Sequence, residues 1–178
     1  LWPGLVAIAL AAAFGLMNLG KLPPELPTHW NFQGEPDSWT RSGIAVLLAP
    51  ALGLALAMIL SVLPKFDPRR ANFPQYEGTW WIIGNVVLVF LALVHVVVIG
   101  NGLGWAIPMP MVIGLSVGAL FVVLGNYITR VRPNWFLGIR TPWTLSSERA
   151  WRETHRVGGT LFVLGGLVLI AVTLITRK

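Results

Sequence analysis

The stretch Gly125-Asn-Tyr-Ile-Thr-Arg-Val-Arg-Pro-Asn-Trp-Phe-Leu-Gly-Ile-Arg-Thr-Pro-Trp-Thr-Leu-Ser-Ser-Glu-Arg-Ala-Trp-Arg-Glu-Thr-His-Arg-Val-Gly-Gly159 decides what kind of molecule this is. It holds six of the thirteen basic residues and three of the nine tryptophans, and long apolar runs flank it on both sides. Arginines interleaved with Trp135, Phe136, Trp143 and Trp151 would suit a single-stranded nucleic acid, which needs cations and stacking rings. The flanks decide against that partner. A basic, aromatic segment between two apolar runs belongs at a membrane surface, where guanidinium groups meet lipid phosphate and indoles occupy the headgroup layer. The expected surroundings are a lipid bilayer, with no direct nucleic-acid binding.

Composition points the same way. Apolar residues make up 55% of the 178 residues and charged ones 11%, with a mean hydropathy of +0.71. A water-soluble domain carries about a quarter charged residues to cover its exterior, so this chain is an integral membrane protein. With no cysteine, disulfides and thiolate metal sites are excluded. The net charge of +6 fits lipid headgroups and a cytoplasmic loop bias.

A helix crossing the hydrocarbon needs roughly 20 mostly apolar residues. Five segments qualify: Leu1–Leu19, Gly43–Leu63, Thr79–Ile99, Pro110–Ile128 and Gly159–Ile175. The first has the apolar core of a signal peptide over Leu5–Met17 but no basic start, so it reads as a span. The predicted fold is an all-α membrane bundle of about five transmembrane helices, with a structured outer loop and an amphipathic Arg/Trp-rich inner segment. Two units are expected, residues 1–63 around the outer loop and 64–178 around the arginine block.

Orientation follows from short-loop Lys and Arg counts. With the N-terminus inside, nine lie inside: Lys65, Arg69, Arg70, Arg130, Arg132, Arg140, Arg149, Arg152 and Arg156. Four lie outside: Lys21, Arg41, Arg177 and Lys178. The expectation is a multi-pass bacterial plasma-membrane protein, N-terminus inside and C-terminus outside. Gly114-x-x-x-Gly118 in the fourth span reads as ordinary close packing within the bundle.

The first loop runs from Lys21 to Ser42. Pro23, Pro24 and Pro27 forbid regular helix and favour an extended path. Gly34-Glu-Pro-Asp37 reads as a turn. His29, Glu35 and Asp37 are three ligand types within nine residues; zinc or calcium would accept them, but the spacing matches no metal box. A His29–Asp37 hydrogen bond that pins the loop needs no metal, so neither a metal nor a cofactor is expected.

In the arginine block Pro133 ends the fourth helix, and Gly138 and Pro142 keep the next residues irregular. Thr144 or Ser146 should cap a short helix with Glu148 in its first turn. Glu148–Arg152 and Arg149–Glu153 are i,i+4 pairs on that helix, with Trp151, Thr154 and His155 on one face. Gly158-Gly159 should then turn the chain into the fifth span. Irregular backbone at this depth must satisfy its own amides, so Asn126, Asn134, Thr141 and the Arg140 guanidinium are expected to bond the loop's carbonyls and helix ends. The block reads either as a self-bonded plug or as a docking site facing the cytoplasm. No catalytic order of residues lies beside it. Asn85 and His95 are polar groups inside the third span, each expected to bond a neighbouring helix or to serve function.

Leu26-Pro-Thr-His29-Trp-Asn31-Phe-Gln-Gly34-Glu35-Pro-Asp37 resembles the LP-x-H-x-N-x-x-G-x-PD signature of a small membrane domain of unknown function. Asn126-Tyr127, Arg132-Pro-Asn-Trp-Phe-x-Gly-Ile-Arg-Thr-Pro-Trp-Thr-Leu-Ser-Ser-Glu148, Trp151 and Thr154-His-Arg156 are similar to the C-terminal signature of the SdpI-like (sporulation-delaying-protein immunity) membrane family. The resemblance implies self-protection against a secreted, membrane-attacking peptide toxin, with toxin detection relayed to a cytoplasmic repressor. On the outer face the expected binding residues are His29, Asn31, Gly34, Glu35 and Asp37, in a loop placed to meet such a peptide. On the inner face they are Asn126, Arg132, Asn134, Arg140, Thr141, Trp143, Glu148, Trp151, His155 and Arg156. A metal-dependent enzyme built on His29, Glu35 and Asp37, or a small transporter with His95 in a proton path, is the alternative.

Overall fold

A computed structural model describes residues 1–31 and 35–176. Its elements in chain order are α1 (Trp2–Asn18), β1 (Glu25–Trp30), β2 (Pro36–Arg41), α2 (Ser42–Phe66), α3 (Glu77–Gly102), α4 (Met109–Ile128), α5 (Pro142–Ser146) and α6 (Glu148–Thr176). Short 3-10 turns cover Leu19–Lys21 and Arg70–Gln75. Five helices, α1 to α4 and α6, are long and apolar enough to cross a membrane. Each contains or coincides to within one residue with one of the apolar runs, so the spans fall where hydropathy puts them. The outward residues stay apolar: Leu10, Leu52, Met58, Leu161 and Val168 are all more than half exposed. A face of that kind is stable against lipid and not against water.

The helices run alternately between two ends, here the hairpin end and the basic end. α1, α2 and α3 pack on one another, α4 packs along α6, and α3 joins the two groups. Ile8, Ala11, Ala57, Leu88 and Ala92 form the core between the first three. The α4–α6 pair depends on missing side chains. A Cβ on Gly125 would lie 2.6 Å from the Gly159 carbonyl, and one on Gly118 2.9 Å from the Gly166 carbonyl. Gly114 faces Thr173 in the same way. Small residues let the backbones touch, which is how helices gain packing energy in lipid. The Gly114–Gly118 pair therefore packs within this bundle, as its sequence suggests.

Two expectations about α6 are corrected. The chain does not turn at Gly158-Gly159; one helix runs unbroken from Glu148 to Thr176. Gly159 is needed for contact with Gly125, not for a bend. Nor does Thr144 or Ser146 cap that helix. Thr144 belongs to α5, and Ser147 Oγ accepts the Ala150 amide at 3.3 Å at the start of α6.

The polar groups inside the third span divide. Asn85 Oδ1 accepts the Gly4 amide at 2.8 Å, satisfying one of the free N–H groups that open α1. Its Nδ2 donates to the Trp81 carbonyl. His95 is 3% exposed and faces α1 at Gly15 and the Ala11 backbone. Its Nε2 has no hydrogen-bond partner among the described residues.

Candidate functional site

The hairpin end is built on β1 and β2, an antiparallel pair with Glu25 opposite Arg41 and His29 opposite Ser38. The prolines keep the chain extended, and the register slips between Pro27 and His29. Such a slip re-aims side chains. Ser42 fastens the base, donating its hydroxyl to the Pro23 carbonyl and its amide to Pro24 at 3.0 Å. Leu26, fully buried, plugs the hairpin into Ala45, Val46 and Ile99.

The expected His29–Asp37 bond is present, Nδ1 to Oδ1 at 2.5 Å, with both side chains largely in solvent. Glu35 does not join them. Its amide donates to Asn31 Oδ1 at 2.9 Å, and its own carbonyl accepts the Asn31 amide. Among the described residues no three His, Asp or Glu side chains gather where they would hold a metal. Pro36 and Asp37 lie in β2 rather than in the turn. Gly34 lies outside the described residues.

Beneath the hairpin is an apolar pocket of about 560 Å³. His29, Trp30 and Asn31 form its roof, Phe90 and Val94 of α3 one wall, and Ile113 of α4 another. It joins the hairpin motif to the fourth span, a juxtaposition that sequence spacing does not reveal.

The basic end is a plate of irregular backbone laid across the ends of α2, α3, α4 and α6. Its hub is Asn134, fully buried. Nδ2 donates to the carbonyls of Arg132 (2.9 Å) and Leu137 (2.8 Å), while Oδ1 accepts the amides of Phe136 and Leu137. One amide side chain thus closes the loop that Pro133 opens. Trp151 and His155 support it from α6, stacked at 4.1 Å between ring centroids. Trp151 Nε1 donates to the Val131 carbonyl at 2.8 Å. His155 Nδ1 faces the Trp151 carbonyl, which only accepts, so that nitrogen carries the proton. Nε2 is then free to accept the Ile139 amide at 3.0 Å. Gly138, at φ 120°, is the point where the loop passes over that ring: a Cβ there would collide with His155 Nε2.

Thr141 caps α5 in a reciprocal box with Thr144. The fully buried Thr144 hydroxyl accepts the Thr141 amide at 2.8 Å and donates to the Ile139 carbonyl at 2.9 Å.

Three residues of the α2–α3 connection stitch the plate down, and sequence reasoning passed over them. Asp67, 3% exposed, accepts the Trp135 amide through Oδ2 at 3.0 Å and the Arg69 amide through Oδ1 at 2.7 Å. Arg69 donates to the Leu145 carbonyl, and Asn72 to the Pro133 carbonyl at 2.9 Å. Tyr76 packs with Trp80, Ile83, Val131 and Trp151 beneath. Burial, and next the Asp67 charge, push its phenol up to about 12.

The remaining expected residues point outward. Asn126 bonds the Val122 carbonyl of its own helix rather than the loop. Arg140 is exposed and reaches a single loop carbonyl, that of Trp135. Arg132 and Trp143 are exposed. Glu148 pairs with Arg152 at 3.6 Å as expected, but Glu153 pairs with Arg156 at 2.6 Å instead of Arg149. The block therefore has a self-bonded interior of Asn134, Thr144, Trp151 and His155 beneath an exposed, basic exterior.

Two family models match the chain. Residues 130–178 match the SdpI/YfhL protein family, and residues 6–54 match a domain of unknown function (DUF1648). Among curated proteins, the chain is 21% identical to the Immunity protein SdpI of Bacillus subtilis (strain 168), over 98% of this chain and 81% of that protein. It is 32% identical to an uncharacterized protein of Archaeoglobus fulgidus over 40% of this chain and 43% of that one. No solved structure matches significantly. With five helices long and apolar enough to cross a membrane, the chain is a multi-pass membrane protein, and it is similar to the SdpI/YfhL family through its C-terminal part and to an SdpI immunity protein along nearly its whole length.

Proposed function

We propose that this SdpI-like chain is a membrane immunity protein, protecting the bacterium that makes a secreted, membrane-active peptide from that peptide. The observation that carries the reading is the match to an immunity protein over nearly the whole chain. The role is one of binding rather than catalysis. In the proposed orientation the N-terminus is inside, supported by the nine-to-four basic bias. The hairpin and its apolar pocket then face outward, where an amphipathic peptide arrives. His29, Asn31, Glu35 and Asp37 rim the approach, and the pocket offers an apolar side chain a place out of water. Residues 1–63 form the unit whose hairpin meets the peptide, and 64–178 the unit that carries the plate and lends α3 and α4 as pocket walls. The plate's exposed Trp143, Arg149, Arg152 and Arg156 form the surface on which a cytoplasmic repressor docks.

The test is expression in a toxin-sensitive bacterium, reading survival and membrane potential during exposure. The expected result is survival with potential maintained, reduced at least tenfold by Trp30→Ala. Protein present in the membrane without any gain in survival would overturn the reading. Cysteines at Ser38 and Ser146 should label from opposite sides of intact cells, Ser38 from outside; labelling of both from outside would sink the five-span topology, and labelling of Ser146 alone would reverse the assignment of faces.

A further inference from the structure

At the basic end, between the stitched connection and the start of α6, lies a polar cavity of about 390 Å³. Asn72, Gln75, Arg130, Arg132, Glu148 and Arg152 line it. Three guanidiniums face one carboxylate there, leaving positive charge in excess. Among the described residues neither Arg130 nor Arg132 forms an ion pair. Arg130 lies over the Tyr127 ring at 4.9 Å, a contact that uses the guanidinium face and leaves its N–H edge open. Arg152 reaches Glu148 at 3.6 Å with both side chains mostly in solvent, a pairing that an incoming anion displaces at little cost.

The cavity is also built rather than incidental. Val131, between the two arginines, is 3% exposed, and its carbonyl is held from beneath by Trp151 Nε1. The Asn72–Pro133 bond closes one side. The backbone that carries the cations is therefore fixed before any ligand arrives. The cavity lies where the apolar run of α4 ends at Ile128 and before that of α6 begins beyond Arg156. That is headgroup level, where phosphate is the prevailing anion.

We infer that this cavity binds one phosphate group, with Arg130, Arg132 and Arg152 as its donors. The planar guanidinium fork matches two phosphate oxygens at once, and the volume holds a phosphate together with part of the alcohol it esterifies. An anionic lipid headgroup and free phosphate share this chemistry. The inference is independent of the immunity reading, since it concerns retained ligand rather than survival.

The purified full chain, in a neutral detergent, is examined by native mass spectrometry with phosphatidylglycerol and by thermal shift with inorganic phosphate. The expected result is one phosphatidylglycerol per chain, bound at least tenfold more weakly by the Arg130→Gln/Arg132→Gln double variant. Lys65→Gln, at the same end but outside the cavity, should bind as the parent does. Glu148→Gln should bind more tightly, because it removes the opposing charge; this gain cannot come from misfolding. Phosphate stabilisation without lipid retention would assign a soluble source, and retention resistant to phosphate a lipid one. Equal retention by the parent and the double variant would overturn the inference, as would the absence of both ligands from the parent.

Discussion

The Asp67 carboxylate accepts the backbone amide of Trp135 at 3.0 Å across 68 residues of sequence. Its other oxygen holds the amide of Arg69, two residues on. One buried side chain therefore joins the α2–α3 connection to the plate. Asp67→Ala would leave both amides without their acceptor, at a cost of about 1–3 kcal/mol for each buried group. Asp67→Asn keeps an acceptor for one of them and should cost less. Thermal unfolding in detergent ranks the three proteins; an alanine variant as stable as the parent would show that the stitch contributes nothing.

The chain has two tyrosines, and Tyr76 is the one beside Asp67. Its phenol is raised from 10.0 to about 12, first by burial and then by that carboxylate. Between these values the folded protein keeps a proton that the unfolded chain has lost. Stability from this group is thus intact below pH 10 and falls as pH rises towards 12. Ultraviolet titration should show a late phenolate step that Tyr76→Phe removes. Asp67→Asn should bring the step down only partway, since burial remains.

The α4–α6 seam makes a steric prediction. Gly125→Leu would drive a side chain into the Gly159 carbonyl, with the first carbon already 2.6 Å away. Overpacking of this kind costs about 1–3 kcal/mol. Gly165, one position from the seam, has open space where its Cβ would be, and Gly165→Ala should show no loss. Melting temperatures of the two variants should separate; equal values would mean that the helices do not touch there.

How much of this was legible in the sequence differs by region. The spans were, because a run of some twenty apolar residues has one stable surrounding. The His29–Asp37 bond was also readable, since both groups flank one short loop. The course of α6 was not. Gly-Gly suggests a break, because glycine costs about 1 kcal/mol in a helix interior. Contact between Gly159 and Gly125 outweighs that cost, and contact across 34 positions has no local signature. Asp67 sits in Lys65-Phe-Asp-Pro-Arg-Arg70, which reads as a solvated charged loop. The available clue was Asp-Pro followed by Arg69, the pattern in which an aspartate bonds the backbone two residues on. That clue locates the turn and gives no hint that Trp135 lies above it. Glu153 chose Arg156 over Arg149, since i,i+3 and i,i+4 partners are nearly equivalent on a helix.

The unbroken α6 has a consequence for where the molecule's two halves dissolve. Its 29 residues extend about 44 Å, while the hydrocarbon of a bilayer is about 30 Å thick. Some nine residues, Glu148 to Arg156, must stand clear of the lipid, carrying Trp151 and His155 with them. The plate is thus a miniature soluble fold fixed to a lipid-dissolved one. Urea in the water will act on Asn134 and its bonds, while acyl-chain length and detergent will act on the glycine seam.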